Sequence, residues 1–165
     1  YTEWRKKTME EFQSDRMKRL DEQLGKDQGE IESYLEDQST DAQKTESGVY
    51  YVVTEAGNGP NIEEGNTIEV KYAGRILSGP YFDSNIESVV KDQGLKSNRF
   101  DPFVFKVGKG QVIRGWDEAF LQLNGGDKAT IFVPSPLAYA DRNVGELIPP
   151  NSILVFDVEI LNVEE

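Results

Sequence analysis

The sequence contains no cysteine and no histidine. Without cysteine there is no thiol nucleophile, no disulfide and none of the common zinc sites. Without histidine, imidazole general-base and Ser-His-Asp mechanisms are excluded. No metal and no cofactor is expected. The lack of cysteine leaves the compartment open and is compatible with an oxidising one. Positive charge is also scarce: 18 Lys and Arg face 30 Asp and Glu, a net charge of -12. An acidic chain is a poor partner for nucleic acid, whose phosphates need Lys and Arg, and for anionic lipid. Apolar residues make up only 37% of the chain. That is low for a single compact core, so part of the chain must be strongly polar. No run of eighteen apolar residues occurs, so no transmembrane helix is expected. The first residue is Tyr1 rather than Met, as expected of a mature or trimmed chain whose signal peptide lies outside it.

What is present centres on residues 107–123. Gly108 and Gly110 lead into Val112-Ile113, a Gly115-Trp116 step and an amphipathic run. Val112, Trp116, Ala119, Phe120 and Leu123 recur at helical spacing, which predicts one face of a short helix. Taken alone, Trp116 reads as core at least as well as the floor of a pocket.

Before this, residues 2–38 read as helical, with a thin apolar stripe of Trp4, Met9, Phe12, Met17, Leu20 and Leu24. Gly25 ends a first helix, and Asp27 with Glu30 fits the capping of a second. The spacing therefore predicts two helices, Thr2–Leu24 and Gln28–Glu36. They either pack on a partner, self-association included, or form a solvated spacer. Residues 39–47 are polar and aperiodic and read as a linker. From 48 to 165 the pattern is strand-like: 49–53, 68–77, 81–83, 103–107, 128–133 and 153–161. Residues 86–101 are a polar excursion with room for a short helix. Asn124-Gly125-Gly126 reads as the cap of the central helix. Residues 134–150 form a long loop, a length that is usually functional. The fold class is α+β: an antiparallel half-barrel sheet wrapped around one short helix, preceded by an N-terminal helical segment.

Five separated strings then carry a resemblance. They are Val107-Gly108 with Val112-Ile113-Arg114-Gly115-Trp116, then Tyr72-Ala73-Gly74, Tyr81-Phe82-Asp83-Ser84 and Leu137-Ala138-Tyr139. The last is Ile148-Pro149-Pro150-Asn151 leading to Leu154-Val155-Phe156-Asp157-Val158. Over about residues 48–163 the chain resembles the FKBP-type peptidyl-prolyl cis-trans isomerase family. The resemblance implies catalytic roles for Asp83, Ile113, Trp116 and Tyr139. Trp116 is the floor under the substrate proline, the Ile113 main-chain N–H and the Tyr139 hydroxyl donate to substrate carbonyls, and Asp83 sits at the rim. It implies substrate-binding roles for Tyr72, Phe82, Phe103, Val112 and Phe156, with Phe105 a weaker member. Phe105 and Val155 stay closer to a core reading. It also implies proline-containing polypeptides as partners and binding of macrolides such as tacrolimus and rapamycin.

The chemistry is consistent with the absences. An X–Pro bond turns slowly because resonance gives its C–N bond double-bond character. A dry aromatic pocket disfavours the charge-separated planar amide relative to the twisted one. No nucleophile, proton shuttle or metal is required. The chain departs from the smallest family members in its longer 86–101 segment and in Ala140-Asp141 after Tyr139, where the family often has glycine. The helical N-terminus resembles the extracytoplasmic branch, in which such helices mediate dimerisation. The insert and residues 45–51 resemble bacterial lipoprotein members. The expectation is a periplasmic or membrane-tethered lipoprotein that assists folding of exported proteins, with a homodimer through the helices. The alternative is a non-catalytic chaperone module that binds proline-containing or unfolded segments.

Overall fold

A computed structural model describes residues 2–77, 79, 81–95, 100–139 and 148–164, with side chains from Glu11 onward. The elements are α1 (Thr2–Asp37), β1 (Gln43–Lys44), β2 (Tyr50–Glu55), β3 (Thr67–Ile76), β4 (Tyr81–Ser84), α2 (Glu87–Gln93), β5 (Phe103–Lys106), α3 (Arg114–Phe120), β6 (Lys128–Val133) and β7 (Leu154–Glu164). A 3-10 turn, Ser135–Leu137, follows β6. Among the described residues the strands form one antiparallel sheet in the order β1-β2-β6-β7-β3-β4, with β5 also paired to β3. The expected α+β architecture, an antiparallel sheet packed on one short helix, is the observed one.

β3 is the hub. Its whole length pairs with β7 on one side, from Thr67 opposite Glu164 to Ile76 opposite Leu154. On the other side its first half pairs with β5 and its second half with β4. The edge therefore splits near Tyr72, and the split opens the sheet beside α3.

Register explains the core. Tyr51 pairs with Ile131, Ile131 with Phe156 and Phe156 with Gly74. Paired residues share a face, so this row points at Trp116, Ala119 and Phe120 of α3. The next row, Tyr50, Phe132 and Val155, points the other way. It is buried too, against Ile31 and Leu35 of α1. The single apolar face expected from alternation is thus two apolar faces at this end of the sheet. That is why residues 131–133 and 153–156 read as continuous apolar runs.

Several sequence expectations need correction. α1 is one helix through Gly25 and Gly29, not two. A Cβ at either glycine would meet nothing within 4 Å, so neither is required by packing. Two helix glycines cost about 1 kcal/mol each. Each fully buried Ile or Leu contributes about 1.5–3 kcal/mol, and docking of Ile31 and Leu35 offsets that cost. Asp27, read as a cap, instead accepts tertiary hydrogen bonds from Ser135. The expected linker, 39–47, contains β1, which extends the sheet beside β2. Gly125 and Gly126 do not cap the central helix. α3 ends at Phe120 with Leu121 as C-cap. The glycines let the loop around 57–59 approach: a Cβ on Gly57 would lie 2.3 Å from the Gly126 carbonyl carbon. α3 also begins later than the apolar period suggests, so Val112 lies before it and Leu123 beyond it.

Gly115 has a definite reason. A Cβ there would lie 2.4 Å from Val133 Cγ1. Only glycine lets α3 sit this close to β6. Gly115→Ala is expected to lower stability by about 1–3 kcal/mol in chemical denaturation. An unchanged midpoint would show that α3 can shift without cost.

Candidate active site

The split in the sheet exposes a cavity of about 220 Å³ lined by Tyr72, Phe82, Asp83, Phe103, Gln111, Val112, Ile113, Trp116, Tyr139 and Phe156. Nine of these are residues named from the sequence; Gln111 is the addition. Larger hollows occur elsewhere: those between α1 and Asn151 and beside Ser47 are mainly polar, and those beside Ile76 and Ile86 have no aromatic lining. The Trp116 cavity has an aromatic wall. Phe105 does not reach it. It is 3% exposed and packs beneath, with its ring centroid 5.7 Å from Trp116 and 5.6 Å from Phe120. Val155 faces α1, away from the cavity.

Trp116 is 4% exposed and is ringed by aromatics. Tyr72, Phe103, Phe120 and Phe156 meet it edge-on, with centroids 5.0 to 6.1 Å away. Edge-to-face pairs of this kind are worth about 0.5–1.5 kcal/mol each beyond burial. The indole Nε1–H is buried with no hydrogen-bond partner among the described residues. Leaving it so costs about 1–3 kcal/mol, which the surrounding rings offset. Gly74 makes the wall possible: a Cβ there would lie 2.8 Å from both the Phe82 and Phe156 rings.

The approach to α3 is shaped by Asp117. Its Oδ1 accepts the Gly108 N–H at 2.9 Å and its Oδ2 the Gly110 N–H at 3.0 Å. Both glycines have positive φ, 78° and 72°, a conformation that glycine adopts at little cost. The Gln111 side-chain oxygen accepts the Lys106 N–H. This loop delivers Ile113 as the N-cap of α3, at φ -58° and ψ 149°. The Ile113 carbonyl accepts from the Trp116 and Asp117 N–H groups. Its own N–H lies outside the helical ladder, and the residue lines the cavity.

The opposite rim is a polar knot. Tyr72 donates its hydroxyl to Asp83 Oδ2 at 2.6 Å, and Asp83 Oδ1 accepts the Ser84 N–H at 2.9 Å. Ser84 donates its hydroxyl to the Tyr72 carbonyl at 2.6 Å. Asn85, 6% exposed, accepts the Tyr72 N–H and donates to the carbonyls of Val70 and Asp101. Its side chain thus serves backbone groups of β3 where β4 and β5 part. Burial, and then the Asp83 hydrogen bond, push the Tyr72 hydroxyl well above the usual tyrosine range. Burial first, and the Asp83 charge second, push Tyr139 up as well. Burial, reinforced by one carboxylate, therefore favours the protonated form of two hydroxyls at the cavity mouth.

Asn85, Asp117 and Gln111 were not legible as site residues in the sequence. Each acts through backbone groups that become neighbours only in the folded chain. The Asp117 spacing after two glycines is the one signal that could have pointed to it. Residues 140–147, which include the Ala140-Asp141 departure from the family's usual glycine, lie outside the described residues. The insert does hold a short helix, α2, closed by Gly94 at φ 64°.

Tyr72 has an alkaline consequence. Its folded-state value lies above the ordinary 10.0, so folding favours the protonated phenol. The stability it contributes is fully present below pH 10 and is lost as pH rises from there through the folded value. Tyrosinate absorbance should show that Tyr72→Phe removes a late-titrating phenol. Asp83→Asn should lower both tyrosines toward the ordinary range without restoring it, because burial is the larger cause. Loss of an ordinary, early-titrating phenol in Tyr72→Phe would contradict the geometry.

The comparisons with known proteins agree with this geometry. The family model described as FKBP-type peptidyl-prolyl cis-trans isomerase matches residues 59–161. The chain is 36% identical over 123 residues to a probable FKBP-type peptidyl-prolyl cis-trans isomerase of Haemophilus influenzae. That match covers 74% of this chain but only 46% of the relative, so the chain spans about half of that protein's length. It is 40% identical over 118 residues to the peptidyl-prolyl cis-trans isomerase Fkbp12 of Drosophila melanogaster, covering 71% of this chain and 99% of the relative. The crystal structure of AtFKBP13 superposes with a TM-score of 0.62 at 32% identity, covering 74% of this chain and 98% of that one. With a family model spanning more than half of the chain and a fold shared with a solved member, the chain belongs to the FKBP-type peptidyl-prolyl cis-trans isomerase family.

Proposed function

We propose that this chain accelerates cis-trans isomerisation of X–Pro bonds in exported polypeptides, with the Trp116 cavity as the proline site. The observation that carries the reading is that Trp116, Ile113 and Tyr139 line one small aromatic-walled cavity. Trp116 supplies a flat apolar surface for the proline ring. The Ile113 N–H and the Tyr139 hydroxyl flank it and hold the substrate carbonyls. Asp83 fixes the mouth through Tyr72.

The barrier to rotation is about 18–20 kcal/mol. It comes from amide resonance, so the planar ground state is the more charge-separated one. Apolar walls withdraw the water that stabilises that state. Donors placed to fit the twisted geometry stabilise the transition state selectively. Each 1.36 kcal/mol of difference is a factor of ten in rate. No proton changes hands, in keeping with a site that holds no histidine or cysteine. The same pocket accounts for macrolide binding of the tacrolimus and rapamycin kind.

The test is catalysis of isomerisation in a short X–Pro peptide, with and without tacrolimus. The wild-type chain should accelerate the reaction and the drug should abolish the acceleration. Tyr139→Phe removes one donor, worth about 0.5–1.5 kcal/mol, so kcat/KM should fall by roughly twofold to twelvefold. Tacrolimus binding without any rate acceleration would instead favour a non-catalytic binding module.

A second reading concerns the arm. α1 spans 36 residues, and its burial is concentrated in Asp27, Ile31 and Leu35. Phe12 and Met17 stand 69% and 64% exposed. The Trp4 and Met9 side chains of the expected stripe lie outside the described residues. We propose that this face pairs with a second copy and that the dimer holds folding clients outside the cytoplasm, as a periplasmic or membrane-tethered protein. Among the described residues no helix is long and apolar enough to cross a membrane. Light scattering should give a dimer that Phe12→Glu with Met17→Glu dissociates. A monomeric wild-type chain would rule the pairing out.

A further inference from the structure

We propose that Asp27 is a positioning residue for the isomerase reaction, clamping from α1 the turn that sets Tyr139. The inference rests on the reading of the Trp116 cavity as the proline site. It changes the role of α1, whose buried third becomes part of the active-site scaffold.

Asp27 is 2% exposed in the middle of a helix. A buried carboxylate is costly unless it is fully paired. Its Oδ2 accepts the Ser135 N–H at 2.8 Å and the Ser135 hydroxyl at 2.5 Å. Its Oδ1 accepts the Gln23 side-chain N–H at 2.8 Å. The contact with Ser135 bridges 108 positions of sequence. Bonds to a carboxylate are shorter and stronger than neutral ones. Asp is also a poor helix former, and it sits between Gly25 and Gly29. Three weak helix residues at the docking point indicate that tertiary contact, not helix propensity, holds this stretch.

Ser135 is fully buried and lies two residues past the end of β6. There the chain leaves the sheet and loses its ladder of hydrogen bonds. The path onward is stiff. Pro134 and Pro136 restrict φ on either side of Ser135, and Pro134 stands at φ -58°. The Leu137 N–H donates to the Pro134 carbonyl, and the Ala138 N–H to the Ser135 carbonyl. Leu137 is buried in the main core. Tyr139 follows two residues later and lines the cavity. A stiff five-residue path anchored at Ser135 transmits any displacement there to the Tyr139 ring. Small misplacements of a donor are expensive in rate.

The surroundings keep α1 in register for this contact. Tyr50 donates its hydroxyl to Glu32 at 2.8 Å. Arg75 donates to the Tyr34 hydroxyl at 3.2 Å and stacks on its ring at 5.8 Å. Gly48 leaves room for Gln28, whose amide nitrogen would lie 2.4 Å from a Cβ at that position. These contacts hold the helix on the sheet, while Asp27 hydrogen-bonds it to the turn that leads to Tyr139.

The test is a double-mutant cycle in the full chain, read as kcat/KM on an X–Pro peptide well below the melting temperature. Asp27→Ala should lower kcat/KM by about threefold to tenfold. In a Tyr139→Phe background the same substitution should have little further effect, because contacting or coupled residues are non-additive. Asp27→Asn keeps one acceptor oxygen and should recover most of the loss. Ser135→Ala, which removes only the hydroxyl bond, guards against an unfolded Asp27→Ala and should show a smaller fall that also vanishes with Tyr139→Phe. NMR of labelled tyrosine rings should show Tyr139 shifted by Asp27→Ala and Tyr72 unmoved. Full additivity across the cycle, or an unmoved Tyr139 resonance, would overturn the positioning role. An inactive wild-type chain would overturn the proline-site reading itself, whereas an active chain indifferent to Asp27→Ala overturns only this inference.

Discussion

Trp116 has to be held rigidly from below and from its edges while still lining a cavity. Four aromatic rings meet it edge-on, and a fifth, Phe105, lies tilted beneath. They come from β3, β5, α3 and β7. No local segment can supply such a cage. The sheet must bring β3 and β7 side by side, and α3 must lie close to β6. The second requirement accounts for Gly115, which stands where any side chain would strike Val133. The first accounts for the long β3–β7 ladder.

The cavity follows from a local failure of pairing. β3 has two partners along one edge, and neither reaches its middle. The Asn85 side chain accepts the Tyr72 N–H, and the Asn85 N–H and the Ser84 hydroxyl both donate to the Tyr72 carbonyl. Satisfying buried backbone groups with side chains lets the edge stay open at no large cost. The opening is where the aromatic wall faces solvent, and the Tyr72–Asp83 pair forms its rim. Structural economy and the placement of the site are the same fact at this point.

α1 adds a second layer to this design. It covers the face of the sheet opposite α3, and its buried Asp27 reaches the turn after β6. The two faces of β6 and β7 are therefore supported from both sides: Ile131 and Phe156 by α3, Phe132 and Val155 by α1. Sheet rigidity near the cavity depends on both. A helix that looks like an appendage in composition is a structural member of the catalytic domain over its last third.

Much of this was written in the chain itself. Strand alternation, the glycine-rich approach to Trp116 and the five separated strings indicated an α+β isomerase fold and nine of the ten cavity residues. Those are local patterns, because period-2 and period-3.6 repeats survive in any context that buries one face. Long-range pairing was not legible. Asp27 carries the signature of a helix cap, and the same carboxylate can accept from its own backbone or from a residue 108 positions away. Only the docked helix decides which. Gly125 likewise suits a helix end or a tight approach of two loops, and the approach of Gly57 decided it. The sequence by itself determined which residues are apolar, where the chain turns and which aromatic side chains are available to wall a cavity. Tertiary structure decided which donors meet which acceptors, since a hydrogen bond depends on position in space and sequence spacing constrains that only within a turn or two.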